Sequence, residues 1–387
     1  MTKCCARLAS SGELIEIEFD SVIQHVDSLL SPCPDDDTWI APSFIDLQVN
    51  GFAGADFNSP ATSPESIAAA CAAIFSTGVA RFFPTVITGP PERMCAALRN
   101  LAGAREVLPD GGAMEAFHVE GPYISPEEGP RGAHPKAWVR PPDFDEFRRL
   151  QEAADGNIRL MTLAPEWPQA PAFIEKLTSE GVVAAIGHTR ATPDQIRAAV
   201  HAGATLSTHL GNAADPQIQR RDNFLYAQLA EDRLAASFIA DGHHLADSFL
   251  QIALRSKGLD QSLLVTDAAM PAMCPPGQYM LGEVVVELKP DQRVVLRGGD
   301  RLAGSSLRMD QAVSNVIRRA HVNLAGAITM ATTNPARVGR VSGRLRGIRP
   351  GERADLVVFR LLDGEHAGGI EVIETYVSGR RVFAKPE

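Results

Sequence analysis

Five short stretches of this sequence end alike: an apolar run, then an acid or a histidine, followed in all but one, where Leu210 stands after His209, by a small or turn-forming residue. They are Phe117-His-Val-Glu120-Gly-Pro, Ala184-Ala-Ile-Gly-His188-Thr, Leu206-Ser-Thr-His209-Leu, Ile239-Ala-Asp-Gly-His-His244 and Leu264-Val-Thr-Asp267-Ala-Ala. A carboxylate or imidazole at the exit of a strand is where a parallel barrel keeps its chemistry. A lone acid there would read as a surface cap. Several aimed at one rim read as a metal-assisted active site. Glu120, His188 and His209 offer one carboxylate and two imidazoles, donors that zinc and similar divalent ions take while leaving a position for water. Asp267, a carboxylate near such an ion, can take a proton from water and pass it to a leaving group.

These residues need a scaffold that brings distant strand ends together. Strand-like apolar runs fall at 43–49, 79–86, 114–119, 158–164, 182–187, 205–209, 235–240 and 262–266. Helical patterns fill most gaps, at 63–76, 91–104, 144–154, 171–180, 193–202 and 245–257, several opening with proline at the first turn. Eight such repeats over about 230 residues have the dimensions of a (β/α)8 TIM-like barrel. A doubly wound sheet would carry a glycine-rich phosphate loop after its first strand, and Gln48-Val-Asn-Gly-Phe-Ala-Gly does not spell one. The barrel is assigned to residues 42–339. Short β-like pieces at 14–19 and 21–25 lead into a polar, proline-rich stretch from Ser31, too little to bury a core alone. With strand patterns at 343–359 and 372–383 they predict a small β-sandwich domain built from both chain termini, residues 1–41 plus 340–387. A hairpin at 278–297, turning at Pro290-Asp291, and the segment Leu302-Ala-Gly-Ser-Ser follow Asp267 and could cover the site mouth.

Bulk properties narrow the class. Hydrophobic content of 45% and charged content of 22% suit a soluble globular protein. No apolar run approaches the roughly eighteen residues of a membrane span. Met-Thr-Lys-Cys-Cys-Ala-Arg at the start lacks a secretory apolar core. The six cysteines are scattered without paired spacing and read as reduced thiols of a cytoplasmic protein. A net charge of −10 disfavours nucleic acid as a partner, while a few local cations could still hold a small anion.

Seven motifs in order carry a more specific resemblance: Phe44-Ile-Asp-Leu-Gln-Val-Asn-Gly51, His118-Val-Glu-Gly-Pro-Tyr123, Gly187-His-Thr-Arg-Ala-Thr192, Thr208-His-Leu-Gly-Asn-Ala213, Ile239-Ala-Asp-Gly-His-His244, Val265-Thr-Asp-Ala-Ala269 and Leu302-Ala-Gly-Ser-Ser306. Together they resemble the signatures of N-acetylglucosamine-6-phosphate deacetylases, within the amidohydrolase superfamily. The resemblance implies that Glu120, His188 and His209 hold the metal and that Asp267 is general base and acid. It implies that His134, in Arg131-Gly-Ala-His-Pro, polarises the acetyl carbonyl. Asn212 and the Ala213 backbone match contacts to the sugar phosphate. Arg220 and His244 match phosphate or sugar contacts, with Arg221 the alternative by one register. In that family the arginine crosses a dimer interface, so a homodimer with composite sites is expected.

Three departures follow. Many amidohydrolases have His-x-His at the first strand end for a second metal; Gln48 and Asn50 stand there as vestigial second-metal positions, and amides bind zinc poorly beside imidazole. One divalent ion per chain is therefore expected, Zn2+ first, with Fe2+, Co2+ or Mn2+ as alternatives. Gly211 replaces a usual aromatic and Ala214 a frequent methionine, which should enlarge or loosen the region beside Asn212. The loop 214–223 lacks the usual Arg-Glu-Pro-Gly ending. The expected function is metal-dependent deacetylation of an N-acetyl amino sugar phosphate, N-acetylglucosamine 6-phosphate first. The alternatives are another N-acyl substrate, such as N-acetylgalactosamine 6-phosphate or an N-acyl amino acid, and a non-catalytic sugar-phosphate-binding barrel. No membrane or nucleic-acid partner is expected.

Overall fold

Every residue of the strand Phe44–Val49 is buried, and the strands after it are buried along nearly their whole length. Parallel strands covered by helices have no solvent face, so their sequences run apolar instead of alternating. The structure, a computed structural model, describes residues 1–30, 37–215, 217–282, 284–364 and 367–386. The polar stretch that begins at Ser31 lies outside them except for Asp37. All eight expected strand runs form, at Phe44–Val49, Val79–Ile87, Phe117–Glu120, Ile158–Leu163, Val183–Ile186, Leu206–Ser207, Ala235–Phe238 and Ser262–Leu264. Each pairs in parallel with the next in the chain. The last returns to the first just beyond its end. The Asp267 N–H donates to the Gln48 carbonyl at 3.0 Å, and the Asn50 N–H to the Ala268 carbonyl at 2.7 Å. That contact closes a (β/α)8 barrel.

The helices start where their caps stand. Ser63 accepts from the Ser66 N–H ahead of Pro64–Phe75. Thr192 accepts from the Gln195 N–H while the Gln195 side chain returns to the Thr192 backbone, a reciprocal cap for Pro193–His201. A short helix, Phe224–Leu229, sits between the sixth and seventh strands, where the sequence pattern gave none.

Strands from both chain ends make one seven-stranded sheet. Arg380–Ala384, Ile370–Val377 and Leu356–Leu361 pair in turn onto Thr38–Pro42, which continues into Thr2–Leu8, Leu14–Phe19 and Ile23–Ser28. The rings of Phe19 and Tyr376 meet at 5.2 Å although three strands separate theirs, so the sheet curls until its two halves face each other. Cys5 is disulfide-bonded, which corrects the expectation of reduced thiols throughout; Cys71, Cys95 and Cys274 are free thiols. Among the described residues no helix is long and apolar enough to cross a membrane.

A buried ion cluster joins this sheet to the barrel. Asp355 accepts from Arg81 of the second barrel strand at 2.9 Å through both carboxylate oxygens, and from Arg344 at 3.0 Å. Burial alone would raise the Asp355 carboxyl, but Arg344 and Arg81 hold it well below the usual range. Its contribution to stability is therefore present above the unfolded pKa of about 3.9 and is lost as pH falls towards the depressed folded value. Asp355→Ala leaves the buried Arg344 without its anion and Arg81 with only Glu115 at 3.9 Å, and is expected to cost about 3–5 kcal/mol at neutral pH, read as a lowered denaturation midpoint. A loss under about 1 kcal/mol would mean that water replaces the carboxylate.

The segment after the eighth strand forms a three-stranded antiparallel unit, Gly277–Leu281, Val284–Leu288 and Val294–Leu296. Its small core of Leu281, Val286, Leu288 and Val294 packs on Ala269 and Ala303. It thus rests directly on the chain that carries Asp267.

Candidate active site

Glu120 is the last residue of the third barrel strand. Gly121 follows with φ +79°, and a Cβ there would lie 2.2 Å from the Thr88 hydroxyl, so the turn admits only glycine. His188, His209 and Asp267 have left-handed backbones, with φ of 51°, 30° and 50°. Non-glycine residues pay for that geometry, and such strain gathers at functional sites. Here it swings each side chain from the strand exit over the barrel mouth. It also ends the sixth and eighth strands earlier than their apolar runs predict. The Thr266 N–H and hydroxyl both donate to the buried Asp46, at 3.2 and 2.5 Å, which pins the chain next to Asp267.

The side chains converge on one carboxylate. Glu120 Oε1 lies 2.8 Å from His209 Nε2 and 3.2 Å from His188 Nε2, and accepts from Gln48 Nε2 at 2.9 Å. His134 Nε2 stands 3.7 Å from Glu120 Oε2. Ligand atoms of Glu120, His134 and His188 all lie within 4.8 Å of one another. His188 Nδ1 is 3.0 Å from the Pro130 carbonyl. A carbonyl only accepts, so Nδ1 carries the hydrogen and Nε2 is the nitrogen turned to the carboxylate. A carboxylate oxygen with two imidazole nitrogens gathered around it is the kind of donor set a divalent cation takes. The donor set therefore fits a divalent ion.

Charges around this point are strongly coupled. Burial would raise Glu120, yet His188 and His209 hold it well below the usual carboxylate range. Burial would lower His209, and Glu120 raises it instead. Asp267 is pushed up to about 6, by burial first and by the Glu120 charge second. His134 is lowered to about 3 by burial and by His188, so its ring is neutral.

Gln48 and Asn50 occupy the space between the two carboxylates. Gln48 Nε2 donates to Asp267 Oδ1 at 3.0 Å as well as to Glu120, and Asn50 Nδ2 donates to the same Asp267 oxygen at 2.6 Å. Amide hydrogens thus sit where a bridging cation would lie between those groups. A cavity of about 720 Å³ opens above, and Asn212, Ala213 and His244 line it with Glu120, His134, His188, His209 and Asp267. His244 donates through Nδ1 to Asp241 at 2.6 Å, which fixes its ring.

Arg220 and Arg221 are not brought into this cavity; both are exposed on the surface. Gly211 does not loosen the region, contrary to the expectation from sequence. A Cβ there would lie 2.5 Å from the Phe249 ring and 2.9 Å from Leu245, so a neighbouring aromatic already fills the space. Sequence reading passed over Thr88, whose hydroxyl lies 2.8 Å from His134 Nδ1, and Arg301, which lines the cavity. The only available signal for Arg301 was its place beside Leu302-Ala-Gly-Ser.

The model of the amidohydrolase family matches residues 39–382. The chain belongs to this family. The amidohydrolase is 33% identical to the N-acetylglucosamine-6-phosphate deacetylase of Danio rerio, over 89% of this chain and 85% of that one. It is 32% identical to the N-acetylgalactosamine-6-phosphate deacetylase of Escherichia coli O157:H7, over 93% and 92%. Among solved structures it resembles the N-acetyl-D-glucosamine-6-phosphate deacetylase of Mycobacterium smegmatis in complex with N-acetyl-D-glucosamine-6-phosphate. There the TM-score is 0.87 at 29% identity, covering 99% of this chain and 100% of that one.

Proposed function

We propose that this amidohydrolase removes the acetyl group from N-acetylglucosamine 6-phosphate, giving acetate and glucosamine 6-phosphate. The observation that carries the reading is the convergence of Glu120, His188 and His209 beside Asp267 and His134 in one cavity. Its volume of about 720 Å³ suits a sugar phosphate. In this reading Glu120, His188 and His209 hold one divalent ion, zinc by the chemistry of a carboxylate with two imidazoles. Bound there, the ion supplies Lewis acidity towards the amide carbonyl and towards water.

The chain's own groups do the rest. Asp267, held by Gln48 and Asn50, takes the proton of the attacking water. His134 is neutral, and in the tautomer where the Thr88 hydroxyl, 2.8 Å away, donates to Nδ1 its Nε2–H is free to bond the oxyanion. Asp267 then gives its proton to the departing amine, which could not leave as an anion. Asn212, the Ala213 backbone and His244 orient the sugar phosphate. Arg220, or Arg221 one register on, is exposed, as suits a residue that serves a neighbouring copy; we assign the enzyme as a homodimer on that basis.

Acetate release from N-acetylglucosamine 6-phosphate, N-acetylgalactosamine 6-phosphate and unphosphorylated N-acetylglucosamine tests the assignment. The first is expected to have the highest kcat/KM. Arg220→Ala should cost it about ten- to a hundredfold, the worth of one charge-assisted pair. A galactosamine epimer turned over faster would move the substrate to that of the Escherichia coli relative. No acetate from any of the three, with the ion bound, would overturn the reading.

A further inference from the structure

The cavity is poorly suited to an anion at first sight. Four carboxylates line it, Glu120, Asp215, Asp267 and Asp300, and among the described lining residues Arg301 is the single arginine or lysine. The chain as a whole carries a net charge of −10. A phosphorylated substrate therefore needs a cation placed inside the cavity, where repulsion from these carboxylates is felt.

Arg301 is placed there by rigid backbone. Its carbonyl accepts from the Leu296 N–H at 2.9 Å, and the Ala303 N–H donates to Val294 at 3.0 Å. Two residues on, the Ser305 N–H donates to the Asp267 carbonyl at 3.0 Å. The segment is thus stitched on one side to the covering sheet and on the other to the strand exit that bears Asp267. Its guanidinium donates to Glu128 Oε1 at 2.7 Å, with side chains 48% and 71% exposed. An ion pair so exposed is weak and readily exchanged. Glu128 has a second partner, since Arg131 donates to its other oxygen at 2.8 Å. If Arg301 turns to a ligand, Glu128 keeps Arg131 and no charge is stranded.

We infer that Arg301 binds the phosphate of the substrate from within the same chain, exchanging Glu128 for two phosphate oxygens. A planar guanidinium suits such a bidentate contact. This inference rests on the amino-sugar-phosphate reading above and adds the residue that makes an acidic cavity accept a dianion. It is independent of anything Arg220 does from a neighbouring copy. Arg131, which also donates to the His134 carbonyl at 2.6 Å, stays in place through the exchange, so the loop bearing His134 is not disturbed.

The test compares kcat/KM for N-acetylglucosamine 6-phosphate and for unphosphorylated N-acetylglucosamine in wild type, Arg301→Gln, Glu128→Gln and the double variant, all as zinc-loaded enzyme. The expected result is that Arg301→Gln lowers the preference for the phosphorylated sugar about ten- to a hundredfold, chiefly through KM. Glu128→Gln removes the competing carboxylate and should lower KM for the phosphorylated sugar, a gain that vanishes in the double variant. Calorimetric binding of glucosamine 6-phosphate should follow the same order and does not depend on turnover. If wild type prefers the phosphorylated sugar and Arg301→Gln keeps that preference and that binding, the inference is overturned while the proposed function stands. If wild type is indifferent to the phosphate, both the inference and the 6-phosphate part of the function are wrong.

Discussion

Asp267→Asn is expected to lower kcat by about 10²–10⁴-fold while the protein keeps its metal and its fold. The side chain is buried at the mouth, and its Oδ1 already accepts from Gln48 and Asn50 at 3.0 and 2.6 Å. An asparagine carbonyl can accept the same two bonds, so packing survives the change. What disappears is the proton shuttle. Burial, and then the Glu120 charge, raise the Asp267 carboxyl to about 6, which places it between a base too weak to take a proton and an acid too weak to return one. Turnover, metal content and the melting midpoint of the variant decide the matter together. A variant that retains the ion and more than about a tenth of wild-type kcat would show that another group carries the proton.

Glu120→Ala is expected to abolish both ion binding and turnover, against about one divalent ion per chain in the native protein. His188 Nε2 and His209 Nε2 approach the same Glu120 oxygen, at 3.2 and 2.8 Å. Removing that carboxylate leaves two buried imidazoles with no anion between them. Their remaining charge-neutral donors form a weaker and more open site. Elemental analysis after dialysis reads the ion directly, and the loss should appear even where activity is too low to measure. The stoichiometry carries its own test. Gln48 Nε2 and Asn50 Nδ2 fill the space between Glu120 and Asp267 with amide hydrogens, so a native protein that held two tight ions would contradict the mononuclear assignment.

Much of this molecule could be read from local pattern. The eight strand runs and most of the helices were legible because burial on both faces demands unbroken apolar runs, and because proline and capping residues mark helix starts. Glu120, His188, His209 and Asp267 were legible for a related reason. Each ends an apolar run, three of them just before a glycine, threonine or alanine and His209 just before Leu210, and a strand exit in a parallel barrel has one place to point. The chain at both ends was readable as strands, since alternation and turn residues are local too.

Other features depend on residues far apart in the chain, and no local pattern encodes them. The barrel closes through Asp267 and Ala268 against Gln48 and Asn50, a pairing across more than two hundred residues. Only the folded loop brings the Pro130 carbonyl to His188 Nδ1, which decides the nitrogen that faces the ion site. The left-handed φ of His188, His209 and Asp267 is imposed by the tertiary frame against the preference of side chains for other geometry. Gly211 suggested open space by its type alone, but Phe249, from the helix Asp247–Lys257 after the seventh barrel strand, takes that space. Cys5 found a disulfide partner that spacing gave no reason to expect. No local signal singled out Arg301, whose backbone the covering sheet fastens beside Asp267. In each case the sequence states which groups exist and on which element, and the distance between elements, which only packing sets, decides what those groups meet.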